Sequence, residues 1–174
     1  MLKIAAISAV ALVAAFAGAA QAQDAVKYYV EGGYANVDFN GENFGTANFG
    51  AGIKFNKYFG AEANASFGIA EQSYTEQGVT VDVKVDNTVA AYVVGSYPVS
   101  ANVELLARVG FLHGALSGKS GNTKVSIEDD TVAAGVGVRY FPNGGVHGIR
   151  ADFTSAEFDN VDVEQLSISY VRRF

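Results

Sequence analysis

The stretch ANFGAGIKFNKYFGAEANASFGI, Ala47 to Ile69, decides the fold. Ala47, Phe49, Ala51, Ile53 and Phe55 alternate with Asn48, Gly50, Gly52 and Lys54. Asn56-Lys57 follows, and then Ala61, Ala63, Ala65, Phe67 and Ile69 alternate with Glu62, Asn64, Ser66 and Gly68. Successive side chains of a strand point to opposite faces, so a period of two marks a strand with one apolar and one polar face. Two such runs about a short polar turn read as an antiparallel hairpin.

Working outward, six more segments repeat the pattern. Tyr28, Val30, Gly32 and Tyr34 share one face and Glu31 lies on the other. Val89, Ala91, Val93, Gly95 and Tyr97 form a weaker set, because Ala90, Tyr92, Val94 and Ser96 between them are nearly as apolar. Val103, Leu105, Ala107, Val109 and Phe111 alternate with Glu104, Leu106, Arg108 and Gly110. Val132, Ala134, Val136, Val138 and Tyr140 alternate with Ala133, Gly135, Gly137 and Arg139. Ile149, Ala151 and Phe153 alternate with Gly148, Arg150, Asp152 and Thr154. Leu166, Ile168, Tyr170 and Phe174 alternate with Gln165, Ser167, Ser169 and Arg173. Eight segments is an even number, and each suits the ~9–11 residues of a tilted membrane strand.

The connections alternate in length. Asn56-Lys57, Pro98 to Asn102 and Pro142 to Gly145 are short and turn-like, whereas Asn40 to Gly45, Glu71 to Asn87, His113 to Asp130 and Ser155 to Val161 are longer. Short turns on one rim and long loops on the other predict an all-β, eight-stranded antiparallel up-and-down transmembrane β-barrel, with the long loops outside the cell. A soluble lipocalin-like barrel shares the alternation but places its apolar face inside. The aromatics favour the membrane form: Tyr28, Phe55, Tyr58, Phe59, Tyr97, Tyr140, Phe141 and Phe174 gather at the short-turn rim, as an interfacial girdle does.

Composition excludes several classes. The 174 residues include no Cys, 20 Gly, 12 Phe and 9 Tyr, and only 17% are charged. Without Cys there is no disulfide scaffold, thiol nucleophile or lipidated cysteine. A net charge of −6 argues against a nucleic-acid binder. Met1-Leu2-Lys3, the apolar run Ile4 to Ala20 and Ala20-Gln21-Ala22 read as a secretory signal peptide over 1–22, leaving 23–174 as the barrel domain.

Two stretches resemble the small eight-stranded outer-membrane barrels, the OmpX/Ail group and the transmembrane domain of OmpA. Glu31-Gly32-Gly33-Tyr34-Ala35 is similar to the group's first strand. Val161-Asp162-Val163 and the alternation to Tyr170-Val171-Arg172-Arg173-Phe174 are similar to its last strand. The resemblance implies a location in the outer membrane of a Gram-negative bacterium. It also implies that Tyr170 and Phe174 belong to the signal read by the outer-membrane assembly machinery. Arg172 departs from the pattern, standing where an aromatic or aliphatic residue is usual, and is expected either to weaken that recognition or to snorkel to the periplasmic rim.

An eight-stranded barrel has an interior just wide enough for side chains to fill. The inward set is expected to hold Glu31, Lys54, Glu62, Glu104, Arg108, Arg139, Arg150 and Asp152, four acids against four bases. Buried charges must be paired, so these residues predict a charge network that closes the lumen. A narrow porin or ion channel, in which the pairs rearrange, is the alternative. The lumen-facing pairs Gly50/Gly52 and Gly135/Gly137 are expected to make room for neighbouring long side chains.

Chemistry has little to work with. The two histidines, His113 and His147, are not followed two residues on by Ser, the arrangement of barrel lipid A deacylases, although Ser117 lies four residues after His113. No metal-ligand or phosphate-binding motif is present. The sequence therefore predicts no enzyme, no catalytic, cofactor or metal site, and no cofactor.

Function is left to the loops. Glu71, Glu76, Asp82, Lys84 and Asp86 lie in the second, Lys119, Lys124, Glu128, Asp129 and Asp130 in the third, and Glu157, Asp159 and Asp162 at the fourth. Val79 to Val85 and Thr123 to Ile127 alternate strongly, which suggests strands continuing beyond the membrane. In the OmpX/Ail group that the chain resembles, such a protruding sheet is associated with attachment to host surfaces, and the resemblance implies a structural and surface-interacting role: envelope integrity, and adhesion through acidic external loops. The expected partners are membrane lipid, lipopolysaccharide, the assembly machinery and host surface molecules, with the protein a monomer.

Overall fold

In the computed structural model the described residues are 26–39, 41–69, 72–76, 79–120, 123–158 and 161–174. Residues 1–22, the expected signal peptide, lie outside them, as do Glu71 and Asp159. The side chains of Glu76, Asp82, Lys84, Asp86, Ser117, Lys119, Lys124 and Glu128 also lie outside.

Nine strands occur in chain order: β1 Lys27–Phe39, β2 Glu42–Lys54, β3 Phe59–Gly68, β4 Gln72–Glu76, β5 Val79–Pro98, β6 Val103–Ser120, β7 Thr123–Tyr140, β8 His147–Phe158 and β9 Val161–Arg173. The sheet order is β3-β2-β1-β9-β8-β7-β6-β5-β4, and β3 also pairs with β5, which closes the barrel. β3 and β4 lie end to end along β5, so the wall has eight staves, all antiparallel to their neighbours. Closure pairs first with last, since β1 runs beside β9 from Tyr29↔Arg173 to Phe39↔Val163.

The turns follow from their residues. Between β2 and β3 the Asn56 carboxamide oxygen accepts from the Tyr58 and Phe59 amides at 2.7 and 2.9 Å. Between β5 and β6 the Ser100 hydroxyl oxygen accepts from the Asn102 and Val103 amides at 3.2 and 3.1 Å. Between β7 and β8 Asn143 and Gly144 take the left-handed φ values 54° and 64° that Asn and Gly tolerate.

At the opposite rim strands run on through much of the segments read as loops, as the alternation of Val79 to Val85 and Thr123 to Ile127 suggested. β1 and β2 run to Phe39 and Glu42 about a tight turn at Gly41. β4 and β5 form a hairpin within Glu71 to Asn87, and β6 and β7 pair as far as Ser120↔Thr123. The reason is backbone pairing: each long strand finds a neighbour on at least one side, which satisfies the N–H and C=O groups that face it beyond the membrane. The extension is one-sided. β7 continues ten residues past Ala133, where its pairing with β8 ends, while β8 continues only two past Ala156. The outer ends of β4, β5, β6 and β7 therefore stand as a sheet above the rest of the wall.

The faces separate the membrane barrel from a soluble one. Phe49, Val109, Val136 and Ile168 are 53–59% exposed on the outer wall. Arg139, Arg150, Thr46, Glu62 and Asp152 are buried inside. The apolar face is outside, which requires lipid around it. Val103 to His113 is ten residue steps, and at ~3.3 Å per residue and a tilt of ~40° this spans about 25 Å, the height of such a band. At its upper limit exposed His113 and Asp130 pair at 2.8 Å.

Two expectations about the interior need correction. Phe141 is not part of the lipid-facing girdle. It is 5% exposed and packs with Tyr29 and Val171, because alternation past outward Tyr140 turns it inward. The lumen is also not polar throughout. Ala90, Tyr92 and Val94, from the face of β5 that was nearly as apolar as its partner, form a buried apolar cluster on one side with Leu106 of β6, Ala133 of β7 and Ala156 of β8.

Candidate functional site: the charged lumen

Alternation delivers one charged side chain to the lumen at a time, and the barrel's stagger decides which of them meet. The central acid is Glu62 on β3. Its Oε1 lies 2.5 Å from Arg139 Nη2 on β7 and 2.5 Å from Arg150 Nη1 on β8. Its Oε2 lies 3.1 Å from Arg150 Nη2 and 3.5 Å from Arg108 Nη1 on β6. The Tyr29 hydroxyl also donates to Oε1. None of these four partners stands on a strand adjacent to β3, so the contacts cross the barrel.

Arg150 is the central base and is fully buried. Besides Glu62 it holds Glu31 at 2.8 Å through Nη1 and Asp152 at 2.6 Å through Nε. Toward the short-turn rim, Glu104 lies 3.5 Å from Arg139 and pairs with Lys54. All eight residues, Glu31, Lys54, Glu62, Glu104, Arg108, Arg139, Arg150 and Asp152, thus fall in one connected set of ion pairs.

The register explains why Glu62 occupies the centre. Arg139 and Arg150 are direct cross-strand partners, and like charges so placed repel. A carboxylate reaching both from across the lumen relieves that repulsion. Aromatic faces also hold the guanidiniums: Arg139 lies 4.0 Å over the Tyr29 ring and Arg108 4.6 Å over the Tyr92 ring, where ring quadrupoles attract cations. Neutral groups complete the set. Asn64 donates to Glu31 at 3.0 Å, and Arg108 donates to Asn64 at 3.3 Å and to Thr154 at 2.6 Å.

The lumen glycines give these side chains their space. A Cβ on Gly50 would stand 2.9 Å from Glu31 Cγ, and one on Gly135 would stand 3.2 Å from Arg108 Nε. One on Gly137 would stand 3.0 Å from Asp152 Cγ. Above the network, Asn48, Tyr92, Arg108, Asp152 and their neighbours line a cavity with room of about 20 Å³ for the centre of a water molecule. That is the scale of a single water.

Tyr29, Tyr92, Asn64 and Thr154 are the members that charge-based reading passed over. Their signal was present, since Tyr29 shares a face with Glu31, and Asn64 with Glu62. Outside the network, Tyr170 and Phe174 face outward on the last stave, 51% and 63% exposed. Arg172 is exposed, with its guanidinium 5.1 Å over the Phe174 ring. His147 hydrogen-bonds Tyr170, and His113 has Asp130 as its acid. Among the described residues no serine hydroxyl bonds either imidazole.

An apolar outer wall around a charge-filled lumen, with short turns on one rim and a raised sheet on the other, defines a small transmembrane barrel of the bacterial outer membrane. The model of the outer membrane protein beta-barrel domain matches residues 8–174, and the chain belongs to that family. It is an outer-membrane protein of the Gram-negative type. Among solved structures it is similar to Ail of Yersinia pestis in complex with the heparin analogue sucrose octasulfate. The identity is 22% and the TM-score 0.64, covering 86% of this chain and 99% of that one. It is also similar to Neisserial surface protein A, with 12% identity, a TM-score of 0.61, and 87% and 98% covered. OprG of Pseudomonas aeruginosa gives 11%, 0.60, and 88% and 98%. At these identities the likeness shows the fold alone. No curated protein sequence matches the chain.

Proposed function

We propose that the lumen network is a static plug that makes the barrel a rigid frame, and that the protein works through its external rim, in envelope integrity and surface attachment. It performs no enzymatic chemistry and acts as a monomer. The observation that carries this reading is the raised sheet of β4 to β7. Over Thr123–Val132, β7 has β6 on one side, and among the described residues no strand pairs with its other edge. Such an edge offers main-chain donors and acceptors to an extended segment of a partner.

Charge narrows the partner. The segments 38–42, 71–86, 119–130 and 157–164 together carry thirteen carboxylates and three lysines. That balance repels a sulfated polymer of the kind represented in the Ail complex. It suits cationic surfaces, or lipopolysaccharide bridged by divalent cations. The test replaces 72–86 and 115–128 by short turns and measures adhesion of expressing cells to matrix-coated surfaces. Adhesion is expected to fall to the level of cells lacking the protein; unchanged adhesion refutes the reading.

The channel alternative is favoured by one feature: Asn48 Oδ1, Arg108 Nε and Asp152 Oδ1 are buried polar atoms without a protein partner, and their residues line the small cavity. Rearranged ion pairs there would open a path.

A further inference from the structure

The outer wall carries a notch that its packing does not explain. Phe59↔Gly95 and Gly95↔Ala107 are successive cross-strand pairs on β3, β5 and β6. With Tyr58, Tyr97 and Leu105 they line an apolar groove of about 420 Å³, open outward near the short-turn rim. That is the scale of a site for a small apolar ligand.

Gly95 forms its floor. Lumen-facing Gly50, Gly52 and Gly137 would drive a Cβ into a neighbour closer than 3.0 Å, whereas a Cβ on Gly95 would meet nothing nearer than 3.8 Å. Its φ is not positive either. Glycine within a strand weakens it, and neither crowding nor backbone conformation requires it here. What it does is keep the groove empty of side chain.

One base stands at the edge of the groove. Lys57 Nζ lies 4.9 Å from the centroid of Tyr58, a wall residue, and the Asn56 turn fixes this segment. Lys27, Arg172 and Arg173 stand on another part of the same rim, at the ends of β1 and β9. Among the described residues there the one side-chain carboxylate is Glu104, turned inward and held by Lys54 and Arg139. In barrels of this class the short turns face the periplasm, so this rim meets the phospholipid headgroups of the inner leaflet.

We propose that the groove binds one anionic phospholipid, with an acyl chain lying over Gly95 and Ala107 between Phe59 and Leu105, and its phosphate at Lys57. The site goes beyond the attachment reading and does not depend on it. Cation attraction to an anionic headgroup gives about a fivefold preference for one lysine.

Native mass spectrometry tests this on the full-length barrel, released from vesicles of equal phosphatidylglycerol and phosphatidylcholine. The protein is expected to retain one phosphatidylglycerol. Gly95→Leu, whose Cβ meets nothing nearer than 3.8 Å, fills the groove and is expected to lower that occupancy at least tenfold. Lys57→Gln is expected to lower it about fivefold and to leave phosphatidylcholine retention unchanged. Ala107→Leu gives a second filling should Gly95→Leu fail to fold, as read by the heat-dependent gel shift. Equal retention by the protein and its groove-filled variants would overturn the proposal. So would a dimer that disappears in them, which would assign the groove to a second copy of the chain.

Discussion

Replacing Glu62 by Gln is expected to be among the most damaging isosteric changes in this barrel. The carboxylate holds Arg139 and Arg150 at 2.5 Å and accepts the Tyr29 hydroxyl, all within the lumen. The carboxamide of Glu62→Gln would keep one acceptor. Its NH₂ would replace either the oxygen shared by Arg139 and Arg150 or the one facing Arg150 and Arg108. The cross-strand guanidiniums would lose the charge that separates them, and the eight-residue set would pass from neutral to one excess positive charge. Breaking a buried ion pair by removing one partner costs about 3–5 kcal/mol. With an m-value of about 2 kcal/mol per M of urea, the unfolding midpoint falls by about 2 M. The assay is equilibrium urea unfolding of the protein refolded in lipid vesicles, followed by the gel shift of the folded barrel. Adding Arg139→Gln to Glu62→Gln removes the excess charge and is expected to recover part of the loss, a coupling of about 0.5–3 kcal/mol. A Glu62→Gln midpoint indistinguishable from that of the unaltered protein would refute the reasoning, because these contacts would then carry no stability.

Other predictions use the same measurements. Arg108→Ala and Arg139→Ala each strip a guanidinium from Glu62 and uncover an aromatic face, so both are expected to lower the unfolding temperature; unchanged melting of both would count against a connected network. Gly137→Val places a Cβ 3.0 Å from Asp152 Cγ and 2.8 Å from the Ala151 carbonyl oxygen. It is expected to cost about 1–3 kcal/mol by overpacking, with a matching fall in urea midpoint. Phe174→Ala removes the exposed terminal ring that Arg172 covers, and is expected to lower the folded fraction recovered in the outer membrane while refolding in vitro proceeds normally.

The barrel was legible in the sequence because its physics is local. Alternation along Ala47 to Ile69 sets the face of every side chain, and Asn56 sets the turn. The same rule puts Glu31, Lys54, Glu62, Glu104, Arg108, Arg139, Arg150 and Asp152 on one face. What it did not give was which acid meets which base: Glu62 meets Arg139 and Arg150 across the lumen, through a stagger that no single strand encodes. The β4 hairpin was hidden because Gln72–Glu76 is short and polar on both faces. The raised ends of β5 and β7 were visible in Val79 to Val85 and Thr123 to Ile127, but their pairing partners were not. Phe141 shows the limit at a strand end, where one further step of alternation turns an aromatic from lipid to lumen.

The most direct measurement of the central claim, that the charge network shuts the barrel, is single-channel conductance of the refolded protein in a planar bilayer, with the gel shift confirming that it folded. The account predicts a folded barrel without discrete current steps. Steady, reproducible openings from the unaltered protein would contradict it and would move the ion-channel reading to the front.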